Sequence, residues 1–129
     1  MKKTTIQYTT CAALALYLGG CALSFVARDA DGYRQATREL LASRSADIQS
    51  CYASKASADP SLRGTVVVNL QVEAETGLVV DATVDEALST APAPVQSCVL
   101  DSVAGLSLDP PDQRTGMATF SYDFSTRQL

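Results

Sequence analysis

The chain has 129 residues, 47% of them apolar, with 10 basic against 14 acidic side chains and no histidine. That length holds one domain, and the acidic balance lacks the basic footprint that nucleic acid or a direct grip on anionic headgroups requires. Without histidine the commonest general base and the commonest metal ligand are both missing, so neither Ser-His-Asp nor Cys-His machinery can be assembled.

Met1, Lys2 and Lys3 precede an apolar run over residues 11–20, the charge-then-apolar order of a secretory signal. Leu18, Gly19, Gly20 and Cys21 close that run and resemble the lipobox of bacterial lipoproteins, in which the cysteine receives a diacylglyceryl group. The expectation is a leader over 1–20, a lipidated Cys21 with a tether over 21–32, a folded domain over 33–125 and a tail over 126–129. An uncleaved membrane helix and cleavage after Ala27 are the alternatives, but the run is short of the roughly 20 residues a spanning helix needs. Ala22 follows the cysteine; an aspartate there would favour inner-membrane retention, so the outer membrane is expected over the inner. Loss of Lys2 and Lys3 with the leader removes no acid and makes the mature chain more acidic than the precursor's formal −4. The membrane contact is then the lipid rather than the fold.

Of four cysteines, Cys11 leaves with the leader and Cys21 carries lipid. Cys51 and Cys98 remain, and an isolated pair outside the cytoplasm is read as a disulfide in preference to two free thiols. The loop-entropy relation credits such a bridge with about 4 kcal/mol.

Ala36, Leu40, Leu41, Ile48, Cys51 and Tyr52 fall on one stripe and predict a helix from about Tyr33 to about Ala56, stopped before Asp59 and Pro60. From Thr65 to Ala74 the apolar residues Val66, Val68, Leu70 and Val72 alternate with polar ones, the period of a half-buried strand. A turn at Glu75, Thr76 and Gly77 leads to a second strand with Leu78, Val80, Ala82 and Val84 inward. A second helix opens near Pro94, with Val95, Cys98, Val99, Ser102, Val103 and Leu106 on its stripe, and Pro110-Pro111 bars its continuation. From Gly116 to Ser125 alternation returns, with Ala118, Phe120, Tyr122 and Phe124 inward.

The order helix, strand, strand, helix, strand leaves one apolar sheet face for two helix stripes to cover. An α+β two-layer sandwich is expected, its three-stranded sheet wholly antiparallel if strand 3 pairs with strand 1 through a right-handed crossover.

Cys51-Tyr52, Leu62-Arg63-Gly64 before the valine strand, Thr76-Gly77 with Val79 and Val80, Val95 with Cys98-Val99, and the closing strand from Gly116 to Phe124 together resemble the AgmX/PglI C-terminal domain. That family is similar to the C-terminal domain of TonB. The resemblance covers about residues 33–125; it implies a TonB-C-like fold and the two-cysteine bridge, and brings no activity with it. An energy transducer of that class needs a membrane helix and a long spacer, whereas about 12 tether residues reach no further than about 40 Å.

No catalytic residue, cofactor or metal ligand set is assigned. Two cysteines make half a zinc site, and the carboxylate pairs Asp81 with Asp85 and Asp109 with Asp112 are expected to be solvated charges. The function expected is a non-enzymatic, lipid-anchored envelope adaptor that engages a protein or peptide through a strand edge or the outer sheet face. Val67, Val79 and Met117 are the apolar residues expected on that face. The alternative is a structural subunit of an envelope, motility or transport assembly, homodimeric through an open sheet edge.

Overall fold

The computed structural model describes residues 25–125. The leader, the lipobox residues Leu18, Gly19 and Gly20, the lipidation candidate Cys21 and the tail 126–129 lie outside the described residues.

Six elements follow in order: α1 (Ala30–Ala42), α2 (Ser45–Ala58), β1 (Gly64–Val72), β2 (Val79–Val84), α3 (Ala93–Val103) and β3 (Gly116–Phe124). The strands form one sheet in the order β2-β1-β3, with β1 central and antiparallel to both neighbours. This is the expected α+β sandwich with strand 3 beside strand 1. The core gathers Leu41, Ile48, Tyr52 and Ala56 from the first two helices and Val95, Val99 and Val103 from α3 over Val66, Val68 and Leu70 of β1.

The single first helix expected from the periodicity is two helices. Asp29 starts α1 before Tyr33 by accepting a hydrogen bond from the Gly32 amide at 2.7 Å, an N-cap that satisfies one orphan donor of the first turn. At the other end Ser43 folds its hydroxyl back onto the Leu40 carbonyl, 2.6 Å away, and the Arg44 amide bonds to Leu41 rather than to Leu40. Arg44 adopts φ −102° and ψ 1°, which interrupts the helix before α2 begins. The inward stripe survives the break, since Leu41 and Ile48 on either side of it are both buried.

The turn between β1 and β2 has Gly77 at φ +70°, as its glycine predicts, and Glu75 also sits in the left-handed region at φ +67°. The strand that follows departs from simple alternation. Gln71 pairs with Asp81 while Val72 pairs with Val79, so Val80 is an extra residue in the ladder. A bulge of this kind inverts the side-chain phase on one side of it. Val79 therefore packs against the core with Ala82 and Val84, and Val80, expected inward, is 51% exposed. Leu78 is exposed as well.

The α3 helix carries the expected buried face of Val95, Cys98, Val99 and Val103 but stops at Ala104. Gly105 at φ +76° ends it, well ahead of the Pro110-Pro111 pair. Leu106 is still buried, though it is no longer helical. Cys51 and Cys98 form a disulfide with Cα atoms 5.7 Å apart, tying α2 to α3 on the side of the sheet that both cover. Beside it Tyr52 is fully buried, its hydroxyl donating to the Leu62 carbonyl at 2.8 Å and its ring 4.9 Å from that of Phe124.

Candidate functional site

The two outer strands differ in how free their edges are. Segment 106–108 closes the start of β2, where the Val79 amide donates to Leu106 and the Leu108 amide to Gly77. Among the described residues β3 pairs with β1 alone.

Which main-chain groups face outward from β3 follows from the ladder. The Val67 carbonyl accepts from the Asp85 amide at 2.8 Å, the Val67 amide donates to Ser89 Oγ at 2.9 Å, and the Thr65 carbonyl accepts from Thr90. Odd-numbered residues of β1 thus turn their main chain toward the β2 side. Orientation alternates along an antiparallel ladder, so Val66, Val68 and Leu70 bond to their partners Tyr122, Phe120 and Ala118. The N–H and C=O groups of Met117, Thr119 and Ser121 are left pointing off the sheet.

That edge forms one wall of a groove of about 870 Å³, lined by 115–121 on one side and by α1 and the segment before it on the other. Tyr33 closes one end: a Cβ at position 116 would overlap its ring, and only glycine lets α1 approach β3 so closely. Four arginines, Arg28, Arg34, Arg38 and Arg114, line the groove together with two aspartates, Asp29 and Asp112.

Asp112 organises this end of the molecule. It is 3% exposed, and its carboxylate accepts from the Arg28 amide at 3.0 Å and the Arg114 amide at 3.2 Å. Its own carbonyl accepts from Glu75 at 2.9 Å. Val26 bridges to it in a parallel sense, which aligns the segment before α1 with the one before β3. Arg28 lies 3.7 Å from the carboxylate and donates to the Pro110 carbonyl at 2.9 Å, while Arg114 donates to the Arg28 carbonyl. Burial pulls the Asp112 carboxyl upward, but the two amides and then the two guanidinium charges outweigh it and hold the group below the usual carboxylate range. Burial and then the Asp112 charge push the Tyr33 phenol up, against the lowering pull of Arg28. Arg28 Nη1 and the Tyr33 hydroxyl are buried and have no hydrogen-bond partner among the described residues.

Of the outer-face trio expected from sequence, only Met117 is exposed, at 68%. Val67 is 8% exposed because the loop after β2 runs along this part of β1, bonding through Asp85 and Ser89. Val79 is turned to the core by the bulge. The structure does not bring the three together as a patch. The carboxylates expected to be solvated divide: Asp112 is buried and bonded, whereas Asp85 Oδ1 accepts from the Ala87 and Leu88 amides in an exposed turn. Among the described residues no three His, Cys, Asp or Glu side chains gather to hold a metal ion, and no helix is long and apolar enough to cross a membrane.

The arginine groove was not anticipated. Arg34 and Arg38 stand four apart and so share a helix face, but Arg28 lies in the stretch expected to be tether and Arg114 precedes the strand expected from Gly116, so no local pattern links them. Comparisons with family models, with curated proteins and with solved structures find no match to this chain.

Proposed function

We propose that this chain is a lipid-anchored adaptor of the bacterial cell envelope, with a fold similar to the TonB C-terminal domain, that takes an extended segment of another envelope protein as a fourth strand on β3. The observation that carries this reading is the β3 edge, unpaired among the described residues, whose Met117, Thr119 and Ser121 main-chain groups open into a groove walled by α1. Unpaired edge groups are a template for another strand, and a groove beside them gives alternate side chains somewhere to lodge. The lipid on Cys21 holds the domain at the outer membrane, and the acidic surface contributes nothing to that attachment.

A photo-crosslinking residue at Met117 in cells tests the reading. One envelope protein crosslinked through an extended segment is expected, with the adduct lost in Ser121→Pro, which removes an outward N–H without touching the β1 ladder, and kept in Ser121→Ala. A crosslink only to a second copy of this chain establishes the homodimeric structural subunit instead; no adduct at all defeats both. Cys21→Ser is expected to release the protein from the membrane fraction, and its retention there would contradict the lipid anchor.

A further inference from the structure

We infer that the segment taken up at β3 is acidic, with aspartate or glutamate at alternate positions; this rests on the strand-addition reading of the same groove. The groove concentrates positive charge on a chain that is acidic as a whole. Both aspartates in its lining are already committed, Asp29 to the Gly32 amide and Asp112 to the amides of Arg28 and Arg114.

The arginines are less committed. Arg38 makes no ion pair among the described residues. Among the described residues Arg34 pairs with Asp31 alone, 2.9 Å away, with both side chains largely exposed, and a pair of that kind holds so weakly that a ligand carboxylate can replace it. Arg114 spends one guanidinium bond on the Arg28 carbonyl and keeps its charge. Glu39, on the neighbouring α1 surface, accepts from Gln35. Arg34 and Arg38 stand about 6 Å apart along the helix by its rise per residue. Alternate side chains of an extended strand repeat at about 6.6 Å on one side, so carboxylates at every second position match the two guanidinium groups. Arginine further suits this task because its planar fork can take a carboxylate in two parallel bonds.

The test uses the full-length chain and three fluorescent octapeptides of alternating β-branched and variable residues, in which the variable residue is Glu, Gln or Lys. The Glu peptide is expected to bind at least about tenfold more tightly than the Gln peptide, with the Lys peptide weakest. Its advantage should fall when NaCl rises from about 0.05 M to about 0.5 M, because exposed charges are screened over a shorter distance. Arg34→Glu with Arg38→Glu is expected to abolish the preference while circular dichroism shows the fold intact.

Equal binding of the Glu and Gln peptides, lost in Ser121→Pro, overturns the acidic preference and leaves strand addition standing. Binding of the Glu peptide that is lost in the double arginine variant but unchanged in Ser121→Pro defeats strand addition as its mode. No binding of any peptide at millimolar concentration overturns both.

Discussion

The Asp112 carboxylate lies 3.0 Å from the amide of Arg28, 84 positions away in the sequence, and so fastens the chain entering α1 to the chain entering β3. This joint ties the two segments together where both residues line the groove. Removing the acceptor leaves two amides unmet and a guanidinium that is only 15% exposed without its countercharge. Asp112→Ala is expected to cost about 2–4 kcal/mol in urea unfolding, mostly through the loss of bonds to a charged acceptor. A loss under about 0.5 kcal/mol would show that the joint is ornamental.

The same carboxylate makes stability depend on acid. Its folded-state value is depressed, so the unfolded chain takes up the proton more readily, and the stabilisation is whole above about pH 4, the ordinary value for aspartate. It drains away as pH falls from there through the lower folded value. The stability gap between wild type and Asp112→Asn is therefore expected to narrow below about pH 4 and to stay constant from about pH 5 to 7. Asp59, held down by the Ser61 hydroxyl and amide, acts alike in both proteins and cancels. A gap that widens on acidification contradicts the assignment.

How far the sequence anticipated this arrangement depends on the kind of signal. Where side chains repeat with the period of their element, as from Val66 to Val72 and from Ala118 to Phe124, both the strand and its inward face were legible, and the antiparallel sheet was expected on the condition, met in the structure, that strand 3 pairs with strand 1. The disulfide was legible from the number of cysteines and from the compartment that the leader-like start of the sequence leads one to expect. What failed were features with no periodic signature. One extra residue at Val80 reverses the assignments of Leu78, Val79 and Val80 at once, and the Ser43-Arg44 break leaves the inward stripe intact, so periodicity passes over it. The groove depends on Arg28 and Arg114 meeting at one carboxylate, a long-range contact that local pattern does not encode.

Glu75 tests whether local strain is carried for the sake of a turn. Its φ of +67° is in the left-handed region, which costs a residue with a Cβ about 1 kcal/mol, and its amide is held by the Asp112 carbonyl at 2.9 Å. Glycine keeps that hydrogen bond and relieves the backbone, at some cost in unfolded-state entropy. Glu75→Gly is expected to raise stability by about 0.5 kcal/mol, and Glu75→Val to lower it by more than about 1 kcal/mol. If both variants destabilise equally, the side chain rather than the backbone matters here.

The buried tyrosine separates a hydrogen bond from packing. Tyr52 is wholly enclosed and its hydroxyl is the donor to the Leu62 carbonyl, which anchors the connection leading into β1. Tyr52→Phe keeps the ring against Phe124 and is expected to cost about 1–2 kcal/mol, the price of an acceptor left dry. Tyr52→Ala removes the ring as well and is expected to cost about 3–5 kcal/mol. Equal losses from the two variants would mean that the hydroxyl alone secures the site.

The Cys51–Cys98 bridge joins the two helices that share the core, across a sequence separation of 47. A covalent link of that span restricts the unfolded chain, and the two native helices already share one buried core through Ile48, Tyr52, Val95 and Val99. Cys98 is fully buried, so alanine is the proper replacement there; serine would add an unmet hydroxyl to the core. Cys51→Ala with Cys98→Ala is expected to fold and to lose about 2–4 kcal/mol against the oxidised protein. Reduced wild type should lie within about 1 kcal/mol of that double variant, because both lack the same constraint and differ only in two small side chains. An oxidised protein that melts no higher than its reduced form would place the whole stability of the helical layer in packing and leave the bridge without a mechanical role.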